Sequence, residues 1–327
     1  MDGPVVYFVD HFFRDHELIG RLPMEKGDQL HFVDSSSEPE VTRIDAFKEA
    51  VSAADSRTPC CVVGIGGGNA LDTAKAVANL LTNPGKAEDY QGWELVKNPA
   101  VYKIGIPTLS GTGSECSRTC VLTNIPKNLK LGMNSDYTVY DQLLLDPDLL
   151  ATVPRDQYFY TGIDTFMHCV ESLQGSYRNA IIDAFSVRAV QLCEEIFLSD
   201  DMMSEDNREK MMIASYIGGM AAGNVGVIHP FSAGLGVVLH VAHGLGNCLA
   251  LNVLGDIYPK EYKQFRTMIE RQGVNLPSGI CKDLTEEQYE GLYRGCIVHE
   301  KPLTNALGPD FKQILTRENL IERYKSI

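Results

Sequence analysis

The chain has 327 residues, 44% of them hydrophobic, and a formal net charge of −14. That length suffices for two domains with cores of their own, while the acidic balance excludes a nucleic-acid partner and an anionic membrane surface, both of which need a basic stripe. Nine cysteines, an odd number without a Cys-x-x-Cys pair, fit small buried side chains in a cytoplasmic protein rather than a disulfide framework.

The opening "MDGPVVYFVD" has neither the basic start nor the long apolar core of a signal peptide. "VVYFVD" (5–10), "LHFVD" (30–34), "CCVVGIG" (60–66), "YKIGIP" (102–107) and "LLLDP" (143–147) read as strands. Between them "VTRIDAFKEAVSAA" (41–54) and "NALDTAKAVANLL" (69–81) have helix-forming composition. Strands alternating with helices imply crossover units and a mainly parallel sheet, and their continuous apolar runs fit a sheet covered on both faces. After about residue 152 helical stretches follow one another: 156–174, 179–197, 206–223, 259–271, 283–296 and 316–325. The longest mostly apolar run, 231–254, is interrupted by His240, His243 and Asn247, so no membrane span is expected. The expectation is an α/β nucleotide-binding domain over 1–153 and an all-helical domain over 154–327, with the cleft between them as the default active site.

Within "VVGIGGGNALDTAK" (62–75), Gly66, Gly67 and Gly68 join a strand to a helix and let the backbone approach a ligand. Asn69 is placed to cap that helix, whose first amides and dipole suit a pyrophosphate. The spacing is not the usual Gly-x-Gly-x-x-Gly fingerprint, and a tight turn without a ligand stays open. "PTLSGTGSECS" (107–117) follows the next strand, with hydroxyls at Thr108, Ser110, Thr112 and Ser117 and close approach at Gly111 and Gly113. Two such loops at the carboxyl ends of neighbouring strands would converge on one crevice. Asp10 ends the first strand, where a carboxylate can accept from a ribose and favour NAD over NADP, or be a plain strand-end aspartate.

In "GIDTFMHCVES" (162–172), Asp164 and His168 lie four apart and so share one helical face. "VIHPFSAGLGVVLHVAHGLGN" (227–247) holds His229, His240 and His243. Fourteen residues along one straight helix rise about 21 Å, so His229 and His243 could share an ion only across a break in the chain. Pro230, Gly234, Gly236, Gly244 and Gly246 offer places for one; two unrelated core histidines are the alternative.

Taken in order, "GGGNALDTAK", "PTLSGTGSE", "TGIDTFMHCVES" and "HPFSAGLGVVLHVAHG" resemble the iron-containing (group III) alcohol dehydrogenases, from about residue 5 to 255. The resemblance implies the dehydroquinate-synthase-like fold, an α/β cofactor domain followed by a helical metal domain. It implies one divalent metal, Fe²⁺ or Zn²⁺, on Asp164, His168, His229 and His243. It also implies NAD (or NADP) at Asp10, Gly67, Gly68, Thr108, Thr112, Ser117 and Lys130, the last in "NLKLGMNSD". The activity implied is oxidation of a primary alcohol to an aldehyde by hydride transfer to nicotinamide, in a homodimer. "LTNPGKAEDYQGWELVKNPA", "LKLGMNSDYTVYDQ", "DQYFYTGIDTFMHCVESLQG" and "LPSGICKDL" look like the branch of this family that acts at C8 of 3-deoxy-manno-octulosonate, whose aldehyde a partner aminotransferase converts to the 8-amino sugar of lipopolysaccharide.

Two departures from the family pattern stand out. Members carry some thirty residues ahead of the first nucleotide-domain strand, whereas this sequence starts almost on it. Many members also place a histidine four after the first of the paired metal histidines, and here that position is Ala233. Proton transfer would then use water, a cofactor ribose hydroxyl or another residue, with His240 as a candidate. Glu171, seven after Asp164 on the same face, is placed to orient a ligand. Other readings are a dehydrogenase of another small alcohol or polyol, and a non-catalytic relative acting as a binding subunit. A phosphate-bearing substrate is disfavoured, since the helical half up to residue 250 holds only Arg155, Arg178, Arg188, Arg208 and Lys210 as basic residues.

Overall fold

The computed structural model describes residues 3–327. They form two compact units: the first runs through Leu109 and resumes at Ser114–Leu149, and the second comprises Ser110–Gly113 and Leu150–Ile327.

The first unit is built on five parallel strands, β1 (Val5–Asp10), β2 (Gln29–Val33), β3 (Cys61–Gly66), β5 (Lys103–Pro107) and β8 (Gln142–Leu143), in the order β2-β1-β3-β5-β8. A short helix α1 (Glu17–Arg21) follows β1, α2 (Val41–Ala54) joins β2 to β3, and α3 (Gly68–Leu80) follows β3. Successive side chains of a strand point to opposite faces. Val6 and Phe8 accordingly join Val62, Ala70, Ala74 and Val77 in one core, while Tyr7 and Val9 join Cys61, Val63, Ile65 and Phe13 in another. Both faces are covered, which is why β1 and β3 are apolar without alternation. The last strand is two residues long instead of the five expected over 143–147, because Asp146 and Pro147 turn the chain into a 3₁₀ turn.

A second sheet was not expected. β4 (Gly92–Trp93), β6 (Thr119–Asn124) and β7 (Leu129–Asn134) pair in the order β4-β7-β6, with β6 and β7 antiparallel. Pro126 lies in the turn between them, and Asn128 closes it with φ 49°. β6 alternates half-buried and buried residues, the period of a strand with one covered face.

The second unit is helical: α4 (Arg155–Gln174), α5 (Ala180–Phe197), α6 (Glu205–Gly219), α7 (Ile228–Leu239), α8 (His243–Val253), α9 (Pro259–Gln272), α10 (Glu286–Ile297), α11 (Glu300–Leu307), α12 (Phe311–Ile314) and α13 (Arg317–Lys325). α4 is its centre: every residue from Thr161 to Ser172 is buried, and the helix packs on α5, α6 and α8. A helix buried all round has no solvent face to give its polar residues, so Asp164, His168 and Glu171 need partners inside the protein. Ser110–Gly113 is held here by paired hydrogen bonds: Ser215 Oγ accepts from Gly111 N at 2.8 Å and Thr165 Oγ1 donates to Gly111 O at 2.8 Å. None of the nine cysteines forms a disulfide among the described residues, and no described helix is long and apolar enough to cross a membrane.

Candidate functional site

Asp164 and His168 lie one turn apart on α4, both buried. His229 is the second residue of α7 and His243 the first of α8. The break that a shared site requires falls at His240–Ala242, and at none of the prolines or glycines offered for it. His240 adopts the left-handed conformation (φ 55°, ψ 30°) and donates its backbone N–H to Leu235 O, ending α7. It is exposed, not a core histidine. Gly244 then lets α8 settle on α4: a Cβ there would lie 2.7 Å from Tyr160 O, closer than any side chain tolerates.

These turns bring one candidate ligand atom from each of Asp164, His168, His229 and His243 within 4.8 Å of one another. The His168 and His229 rings stack with centroids 4.5 Å apart, and His229 and His243 are 5.5 Å apart. His243 is the most open of the four, with 29% of its side chain exposed against 0% for Asp164.

Glu171 holds His229 in place. Its Oε2 accepts from His229 Nδ1 at 2.5 Å, while Oε1 accepts from Ile228 N at 2.6 Å and from the Tyr258 hydroxyl at 3.1 Å. With its proton on Nδ1, a neutral His229 presents its Nε2 lone pair to the other three ligands. Asp164 Oδ1 accepts from Asn247 Nδ2 at 2.6 Å, but the buried Oδ2 has no hydrogen bond among the described residues. A buried carboxylate oxygen left without a donor calls for a cation. Three imidazole nitrogens and a carboxylate oxygen are a donor set for Fe²⁺ or Zn²⁺. The residues therefore fit the metal.

The electrostatics agree. Burial opposes the Asp164 carboxylate, but His168, His243 and the hydrogen bond from His229 outweigh it and hold its pKa below the usual range. Burial pushes His168 down to about 4, only partly countered by Asp164. Burial acts the same way on His229, yet Glu171 and Asp164 on its two sides carry it up to about 9. Glu171 and Asp164 thus favour the imidazolium form of His229 in the metal-free protein, a proton that an ion must displace. Zinc binding at pH 7 is expected to release about one proton from this ring, with affinity rising as pH climbs towards 9. Titration calorimetry in two buffers of different ionisation heat measures the release; identical heats would count against it.

In the first unit, Asp10, Gly66 and Thr108 meet at the carboxyl ends of β1, β3 and β5. Gly66 has φ 151°, and a Cβ on it would lie 2.9 Å from Asp10 Cβ; Thr108 N donates to Gly66 O at 3.0 Å. Asp10 Oδ1 accepts from Phe12 N at 3.0 Å and Oδ2 from Ser35 Oγ at 2.7 Å. Asn69 does not cap α3. The helix starts one residue earlier than expected, with Gly67 as its cap, and Asn69 Nδ2 donates instead to Ser37 O at 2.8 Å. The α3 terminus is thereby left without a side-chain cap, and its first N–H groups are free to meet an anion. Ser117 accepts from Lys75 Nζ of α3 at 3.4 Å, and Lys130 pairs with Glu38 at 3.0 Å, one residue on from the Ser37 carbonyl that Asn69 meets. Ser110 and Thr112 belong to the segment held in the second unit.

Three side chains at work here escaped the sequence reading. Asn247 lies one turn after His243 and is fully buried against the ligands. Tyr258 closes the Glu171 network. Lys75, fully buried on α3, donates to Ser114 O at 2.8 Å, to Ser117 O at 3.3 Å and to Thr119 O, and lies 3.5 Å from Asp72. Its signal was available: from Ala74 to Leu80 its neighbours are Ala, Val and Leu apart from Asn79, so a lysine there has little wet face to occupy.

The chain thus has an α/β unit with a glycine turn of the kind that meets nucleotides, and a helical unit that holds a buried nitrogen–oxygen cluster fit for a metal. The chain matches the family described as iron-containing alcohol dehydrogenase over residues 15–147, and the C-terminal region of the same family over residues 158–291. It belongs to the iron-containing alcohol dehydrogenase family, whose members use NAD(H) and a divalent metal. Among characterised relatives, a sulfoacetaldehyde reductase of Bilophila wadsworthia is 34% identical over 220 residues, 65% of this chain and 56% of the relative. An NAD-dependent methanol dehydrogenase of Bacillus methanolicus is 32% identical over 62% of this chain and 53% of its own length. The chain thus spans about half the length of these relatives. The structure of an alcohol dehydrogenase from Oenococcus oeni superposes with a TM-score of 0.84 at 22% identity, over 99% of this chain and 92% of that one. A sulfoacetaldehyde reductase from Bifidobacterium kashiwanohense in complex with NAD⁺ gives 0.78 at 24% identity, over 98% and 90%. Both share the parallel-sheet and helical architecture.

Proposed function

We propose that the protein interconverts a primary alcohol and an aldehyde by hydride exchange with a nicotinamide, at a divalent metal held by Asp164, His168, His229 and His243. The observation that carries this reading is the buried four-ligand cluster with its unpaired Asp164 Oδ2, in a chain of this family. When bound, the ion supplies a Lewis acid that eases deprotonation of the alcohol, and NAD supplies the hydride acceptor. The protein's own groups do the rest. Gly66–Gly68 and the uncapped α3 terminus bind the pyrophosphate, and Asp10 accepts from a ribose hydroxyl. Thr108, Ser110, Thr112, Ser117 and Lys130 complete the cofactor contacts. Asp164 and His168 close the buried side of the centre to water, and His243 marks the side that a substrate reaches. Ala233 carries no proton-moving group, so the hydroxyl proton leaves through water, a ribose hydroxyl or the exposed His240.

The narrower reading is oxidation at C8 of 3-deoxy-manno-octulosonate by a cytoplasmic homodimer, with an aminotransferase consuming the aldehyde. It is supported by the resemblance of residues 81–100, 129–142, 156–175 and 276–284 to that branch. The named relatives act on sulfoacetaldehyde and methanol, which keeps another small alcohol or polyol as the second reading. A steady-state assay of metal-loaded protein with the octulosonate and with short alcohols, with and without NAD and oxygen, separates them. NAD-dependent turnover favouring the octulosonate is expected. A clear preference for short alcohols would remove the sugar assignment, and absence of both metal and NAD binding would leave a binding subunit.

A further inference from the structure

We propose that Asn247 is a positioning residue of the metal centre: its amide N–H holds Asp164 Oδ1, so that Oδ2 is the oxygen left for the ion. This rests on the metal reading above and goes beyond it, since Asn247 is not one of the four ligands. Asn247 is fully buried on α8, one turn after His243. Its Nδ2 stands 2.6 Å from Asp164 Oδ1 and 3.3 Å from Nε2 of both His229 and His243. An ionised carboxylate only accepts, and an amide donates only through nitrogen, so the contact with Asp164 fixes which way the amide faces. Two groups now lie within reach of Oδ1: Asn247 Nδ2 and His229 Nε2, the latter at 3.1 Å. A ring that binds an ion must be neutral, and Glu171 takes the proton on Nδ1. His229 Nε2 then has no hydrogen to give, and Asn247 is the donor that remains. Oδ2, 3.6 Å from His243 Nε2, is left without a hydrogen bond. Without the amide, the carboxylate could rotate about its terminal torsion, which is broad and two-fold for aspartate.

The test compares Asn247→Leu, which fills the space without a donor, with Asn247→Ala, which does neither. Zinc dissociation constants come from chelator competition, coordination from the visible spectrum of the Co²⁺-loaded protein, and intactness of the fold from NAD titration of the metal-free protein. Both variants are expected to bind zinc 10–100-fold more weakly, with NAD affinity kept and the cobalt spectrum altered. Wild-type zinc affinity in Asn247→Leu overturns the proposal. Should that variant not fold, Asn247→Ala decides: weaker binding with an altered cobalt spectrum supports positioning, while an unchanged spectrum, at either affinity, overturns it. A wild-type protein that binds no zinc or cobalt refutes the metal reading itself, a result distinct from tight wild-type binding that the variants match.

Discussion

His243→Ala is expected to strip the metal and abolish turnover together. A four-ligand site depends on all four donors, and losing one costs more than the 10–100-fold seen when only an outer partner is removed. His243 is the cleanest ligand to remove, since 29% of its side chain is exposed and it begins α8 rather than lying in the core. Truncation there leaves a gap that water can fill. Asp164→Ala would be a poorer test: that side chain is wholly buried, and its loss would leave His229 with one carboxylate instead of two. Elemental analysis, steady-state rates and NAD titration on His243→Ala should therefore show metal and activity gone and cofactor binding retained. Full activity in a verified metal-free variant would sink the proposed chemistry. Activity lost with metal retained would instead give His243 a role in handling substrate or protons.

How far the sequence reaches depends on how local each cause is. β1 and β3 are legible because strands covered on both faces are apolar along nearly their whole length. The β6–β7 hairpin is less legible: β6 alternates in burial rather than in residue type, with Asn124 buried and Val121 half-buried, and only the Pro126–Asn128 turn is a local signal. Asn69 shows a different limit. Asparagine favours helix caps, yet the α3 boundary is set by Gly67, and the amide answers to carbonyls more than thirty residues away. The metal cluster was legible in its residue types and in the need for a chain break, but not in the location of that break. Glycines invite a turn without compelling one, and it is His240, a residue with a Cβ, that takes the left-handed conformation. Asn247 had no sequence signal beyond its spacing from His243, because its meaning comes from Asp164, 83 positions away.

Glu171→Gln should weaken metal binding without touching a ligand. The glutamine keeps the shape, and its carbonyl can still accept from Ile228 N and the Tyr258 hydroxyl, which now meet at Oε1. The other end changes sign: an NH₂ group, a donor, faces His229 Nδ1, where a carboxylate oxygen now accepts at 2.5 Å. To avoid donor meeting donor, the neutral ring must move its proton to Nε2, the atom that faces the other three ligands. Binding an ion then requires the tautomer that glutamine opposes, and zinc affinity should fall 10–100-fold. The variant should also lose proton release. Burial lowers the His229 pKa, and the charge on Glu171 is the largest influence raising it to about 9. Without that charge the pKa drops, less of the ring is protonated at pH 7, and zinc binding should show a smaller buffer-dependent heat than wild type. Stability should change less than metal affinity, by about 1–3 kcal/mol, the usual effect of leaving a buried polar group badly paired. Calorimetry with zinc, alongside thermal unfolding of the metal-free protein, measures both. If affinity and proton release both stay at wild-type levels, Glu171 does not set the His229 tautomer. If the protein unfolds in proportion to its loss of zinc, Glu171 serves the helix packing rather than the ligand.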